Sequence, residues 1–155
     1  MASAAGSFAA VAAVVKTSME AETTLINVYD YDPFTVDWTT FLAHFAAPTG
    51  QPPQGWAITR EACRISWEDS GHSMWLHQVI VRGWMGVNVA LATPKSFQAL
   101  VDTVANVFCQ DVDLGGLIEI HDPASIRVIQ PRIYGGVLMH YGELAMECHE
   151  LVIRA

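Results

Sequence analysis

The sequence predicts an α+β domain: a mainly antiparallel sheet with helices packed on one face. Three observations carry this expectation. Apolar residues recur at the helical period in "TPKSFQALVDTVANVFCQD", where Phe97, Leu100, Val101, Val104, Ala105 and Phe108 form one stripe that must lie on a sheet. In "GGVLMHYGELAMECHELVI" the pattern alternates instead, Leu144, Met146 and Cys148 against Glu143, Glu147 and His149, so one strand face is buried and the other wet. The order helix, strand, helix, strands, helix, strands then gives an antiparallel sheet with its helices to one side.

Taken in order, the chain opens with an Ala-rich helix over about residues 3–20. Phe8 to Val15 form an apolar run, but no Lys or Arg precedes it and it is far short of the ~20 residues of a membrane span, so it reads as a helix of the mature, cytosolic protein. "TLINVYDYDPF" reads as a strand turning at Asp32-Pro33, and "TVDWTTFLAHFAA" as a short helix through Val36, Phe41, Leu42 and Phe45. Prolines and glycines break "AAPTGQPPQG" into a surface loop. Two strands follow. "GWAITREACRISW" places Trp56, Ile58 and Arg60 on one face, and "HSMWLHQVIVRGWMGVNVAL" has Gly83 and Gly86 as expected bends or bulges. Thr93 is the expected cap of the long helix, with Pro94 in its first turn. "LIEIH" and "SIRVIQ" are strands before the last one.

With 155 residues, 52% of them hydrophobic and only 15% charged, the chain has material for one core, a single domain over residues 1–155. It carries more apolar side chain than so few charges can cover, which suits a subunit of an assembly. Eight Lys and Arg against sixteen Asp and Glu give a charge of −8, which argues against gripping nucleic acid and leaves room for DNA passing through a pore. Cys63, Cys109 and Cys148 form no CxxC pair and read as reduced thiols, Cys109 and Cys148 as small core residues.

Candidate sites are few. Asp111, Asp113, Gly116 and Asp122 follow the outline of a calcium loop, but Gly115 stands where the fifth ligand belongs and no second helix follows. A helix-to-strand turn, with glycines supplying positive φ, is the better reading. The histidines at 44, 72, 77, 121, 140 and 149 show no HxH or HExxH spacing, so no metal site is expected. No nucleophile elbow, Walker loop or dinucleotide loop occurs, so no catalytic residue and no cofactor are assigned. The five tryptophans, 38, 56, 67, 75 and 84, read as core or interface anchors. "YDYDPFTVDW" reads as an acidic contact surface or a solvated loop.

The segments "GWAITRE", "VIVRGWMGV", "FQALVDTVANVF", "DVDLGG" and "RIYGGVLMHYGELAMECHE", in that order, resemble a family of tailed-phage proteins from the head-to-tail joining genes, the tail terminator or tail completion proteins. "NVYDYDPFTVDW" fits the same pattern, so the resemblance runs from about residue 25 onward. It implies a virion protein, assembled in the host cytoplasm, whose copies close into a hexameric ring at the head end of the tail tube. Its partners are then other copies of itself, the tail-tube protein and the head connector, with no membrane and no enzymatic activity. The residues assigned to its contacts are Tyr29, Tyr31, Phe34 and Trp38 in the early loop, with Arg132 and Tyr134 before the last strand. A head-closure or adaptor ring is the alternative within the same joint. An enzyme or small-molecule binder with a pocket lined by Trp56, Trp84, His77 and His140 is the alternative outside it.

Overall fold

The computed structural model describes residues 7–33, 37–110, 113–114, 116–118, 120–122 and 124–153. Alanine, valine and methionine carry helix α1, Phe8–Glu20, without an internal glycine or proline. Ser7 caps it, its hydroxyl accepting from the Ala10 amide, and Val11, Ala12, Val15 and Met19 turn inward. The strand expected over "TLINVYDYDPF" shrinks to β1, Val28–Tyr29. Its approach is set by Asn27, at a φ of 55°, whose amide donates to the Ala46 and Gln54 carbonyls. Asp37 starts α2, Trp38–Ala43, by accepting from the Thr40 amide and hydroxyl. These hydrogen bonds hold the Asp37 carboxyl below its ordinary pKa.

Strands β2, Gln54–Trp67, and β3, His72–Gly86, form a long antiparallel hairpin with one register shift between Arg60 and Ala62. Helix α3, Thr93–Gln110, follows a 3-10 turn at Val89–Leu91. Next come β4, Ile120–His121, β5, Ser125–Tyr134, and β6, Val137–Ile153. Gly135 and Gly136, both at positive φ, make the tight β5–β6 turn. The sheet order is β1-β2-β3-β6-β4, with β5 also on β6, so β4 and β5 share one edge end to end. Among the described residues only the β1–β2 pair is parallel. Among the described residues no helix is long and apolar enough to cross a membrane.

α1 and α3 pack on the same face, over Trp56, Ile58, Val79, Val81, Leu144, Met146 and Cys148, as the alternating pattern predicts. The short α2 lies on the opposite, outer face, where Phe41 and Phe45 meet Ala57, Trp84, Met139 and Tyr141. Gly83 is neither bend nor bulge: β3 runs through it in register with Trp56 on one side and Gly142 on the other. A Cβ there would stand 2.3 Å from the Trp56 ring, so glycine makes the hollow in which that ring lies. Trp56 then stacks on Phe97 of α3 at 6.1 Å and 12°, and Phe97 on His140 at 5.6 Å.

Thr93 opens α3 without capping it by its side chain. The Ala92 carbonyl receives the first amides, Lys95 and Ser96, while the Thr93 hydroxyl accepts from the Asn88 amide and lies 3.0 Å from His140 Nε2. Burial pulls the His140 pKa down, which favours the neutral ring in this contact. Cys109 is exposed, against expectation, because it falls off the apolar stripe after Phe108; Cys148 is buried as expected. In the helix-to-strand turn, Gly116 takes a positive φ and so does Leu114, whose buried side chain holds a conformation unfavourable to leucine by about 1 kcal/mol. Asp111, Gly115 and Phe34 lie outside the described residues, as does the Trp38 side chain.

Candidate functional site

Strand parity distributes the chemistry between the two faces. Tyr141, Glu143, Ala145, Glu147 and His149 of β6 look outward, paired across with Trp84, Arg82, Ile80, Gln78 and Leu76 of β3. At the α2 end this outer face is aromatic. Phe45 stacks on Trp84 at 5.5 Å, Phe41 on Tyr134 at 6.0 Å, and Trp84 lies 5.7 Å from Tyr141. Gly55, beside Trp84 in register, makes room for the Phe45 ring.

Past the aromatics the face turns ionic. Arg82 stands 3.5 Å from Asp32 and 3.8 Å from Glu143, and Arg127 stands 3.4 Å from Glu143 and 3.2 Å from Glu61. Arg132 lies over the Tyr141 ring at 3.9 Å. The Tyr141 hydroxyl donates to Glu143 at 2.7 Å. Burial, then that hydrogen bond and the Glu143 charge, push its pKa up to about 12 against the pull of Arg82 and Arg132.

Of the residues assigned from sequence, Arg132 and Tyr134 lie here, beside Asp32 of the early loop. Asp32, Arg132, Tyr134 and Tyr141 line one shallow cleft of about 350 Å³ with Trp84 below. Their roles differ from a plain contact surface. Tyr134 is half-buried among Phe41, Trp84 and Tyr141, and the Tyr29 hydroxyl donates to the His44 carbonyl. Tyr31, 53% exposed and edge-on to Tyr29, remains available to a partner.

Farther along the same face a second cleft of about 400 Å³ is lined by Glu61, Gln78, Asp122, Ser125, Arg127 and Glu147. At its far end Asp122, Glu147 and His149 bring their ligand atoms within 4.8 Å of one another, which spacing along the chain does not reveal. The groups able to hold a cation are therefore a same-face pair on β6 and an aspartate delivered by the neighbouring edge.

The residues of the alternative pocket do not converge. Trp56, His77 and His140 face the helices and Trp84 faces outward, so the sheet separates them. His77 belongs instead to a fully buried polar contact: its Nε2 stands 3.0 Å from Glu150, whose same oxygen accepts from the Ser7 amide at the start of α1. Arg60 reaches His77 Nδ1 at 3.5 Å and covers the Phe8 ring at 5.2 Å, so it shares the face of Trp56 and Ile58 as expected. One tautomer, with the proton on Nε2, satisfies both neighbours of His77. The signal for this buried acid is parity: Glu150 falls in phase with Cys148 and Val152, where the strand pattern reserves places for apolar residues.

The remaining surface feature is apolar. β5 is an edge strand, and α3 leaves its margin bare, so Ile126, Ile129 and Ile133 are exposed, Ile133 by 72%. Leu138, paired with Ile133, continues this strip and lines a shallow cleft with Leu91 and Val137; Val89 is 84% exposed. Compared with family models and with curated proteins, the chain matches none.

Proposed function

We propose that this chain is a structural, non-enzymatic subunit of a phage head-tail joint, one of six in a ring that ends growth of the tail tube and docks it to the head connector. The observation that carries the reading is the β5 edge, unpaired among the described residues, with its isoleucine row continuing into Leu138. Isolated proteins rarely leave a long apolar edge strand uncovered, because its free backbone groups and side chains invite pairing. A closed ring needs two different, complementary surfaces on each copy. In this reading the β5 margin is one of them. The other is the opposite margin of the sheet, at β1.

Termination then follows from shape: one ring face matches the last tube layer, and the other offers the next tube subunit no matching edge. The acidic balance, −8 overall, suits a lumen that DNA crosses without sticking. The order of segments that resembles tail terminators supports the same reading. The test is the solution mass of the purified chain, alone and with the tail-tube protein. A hexamer, or a monomer that closes on the tube and caps it, is the expected result, and Ile133→Asp should abolish it. A stable monomer indifferent to the tube would overturn the terminator assignment; a ring that binds only the head connector would move the protein to the adaptor position.

A further inference from the structure

We infer that Asp122, Glu147 and His149 form a binding site for a divalent cation of the zinc class. Glu147 and His149 are two apart on β6, so both side chains rise from the outer face at one place. The third group comes from the neighbouring edge. β4 pairs Ile120 with His149 and His121 with Cys148, and the Asp122 amide then donates to the Glu147 carbonyl at 3.0 Å. That backbone bond fixes Asp122 beside Glu147 where β4 gives way to β5.

The distances suit one ion. The ligand atoms lie within 4.8 Å of each other, with His149 Nε2 2.9 Å from Glu147 Oε1. Around a tetrahedral zinc with bonds of about 2.1 Å, ligand atoms stand ~3.4 Å apart, so modest side-chain rotations bring all three onto the metal. An imidazole with two carboxylates is a borderline donor set, which favours zinc over calcium or magnesium, whose ligands are oxygen alone.

The chemistry has an electrostatic reason. The sheet holds the Asp122 and Glu147 carboxylates close together, with His149 against Glu147. A bound cation would neutralise the pair, while the cleft leaves its open positions to water or a further oxygen ligand. It would also tie the interrupted β4–β5 edge to β6. This inference stands on local geometry and is independent of the ring proposal.

The experiment is titration of the purified full chain with zinc chloride, followed by calorimetry, with cobalt(II) as a spectroscopic substitute. One equivalent of zinc is expected, together with a raised melting temperature. His149→Ala and Glu147→Gln should each weaken binding by more than about 10-fold while keeping the native circular dichroism. Asp122→Asn should do the same. His72→Ala, which removes the exposed Asp69–His72 pair of the β2–β3 hairpin, should leave binding unchanged. Weak cobalt bands without a thiolate charge-transfer absorption are expected for oxygen and nitrogen ligands. No uptake, uptake undiminished in His149→Ala and Glu147→Gln, or a thiolate band implicating Cys63 or Cys109 would overturn the site.

Discussion

On the helix side of the sheet Gly83 leaves room for Trp56, and on the outer side Gly55 leaves room for Phe45. Both glycines sit in register with a tryptophan on the neighbouring strand, and both hollows take an aromatic ring. What closes each hollow differs. Trp56 is pinned by Phe97 from an 18-residue helix whose stripe is buried at Phe97, Val101, Val104 and Phe108 and half-buried at Leu100 and Ala105. Phe45 follows a helix of six residues, and beyond its reach the outer face becomes an ionic strip with two clefts. The closed face holds the fold, and the half-covered face and the β5 margin stay partly exposed.

Changes that open the closed face should be the most damaging. Phe97→Ala empties the ring stack and should cost about 3–5 kcal/mol, read by chemical denaturation. The two glycines differ in what their neighbours can do. An added Cβ would approach the Phe45 ring of the outer face to 1.8 Å and the Trp56 ring to 2.3 Å, yet Phe45 can yield with its short helix and Trp56 cannot. Gly83→Ala should therefore cost about 2–3 kcal/mol and Gly55→Ala about half as much, despite its closer clash. Equal losses would show that α2 is as rigid as α3.

A smaller effect belongs to Tyr141. Its folded pKa stands near 12, above the ordinary value of 10, so the fold favours the neutral phenol. The stability this contributes is complete below pH 10 and disappears as pH rises from 10 through 12. Ultraviolet titration should find Tyr141 ionising late, together with Tyr29, which burial and Tyr31 also raise, and Glu143→Gln should bring the Tyr141 step down. Smallest of all for stability is Ile133→Asp. An exposed side chain can change with less than about 0.5 kcal/mol of loss, so any fall in oligomer mass without a fall in melting temperature reports an interface.

The sequence alone displayed the period of α3, the alternation of β6 and the one-face placement of the two long helices, because each is a local pattern repeated over many residues. It displayed the burial of Cys148 and the outward placement of Glu147 for the same reason. It misassigned Gly83, since a glycine in a strand looks alike whether it bends the chain or admits a ring from the next strand. It also misassigned Thr93, whose partners Asn88 and His140 are brought to it by the fold.

What remained for the tertiary structure was every meeting across strands. Parity says that Glu147 and His149 share a face, but only the register of β4 brings Asp122 to them. Parity places Glu150 inward, but only the packing of α1 gives it the Ser7 amide and sets it against His77. Asp32 and the pair Arg132 and Tyr134 are about 100 residues apart in the chain and come around one cleft through the β2–β3–β6–β5 pairing. Local pattern determines which side of the sheet a side chain faces. Which partner it finds there depends on strand register and helix docking, and these are set by the packing of the whole core.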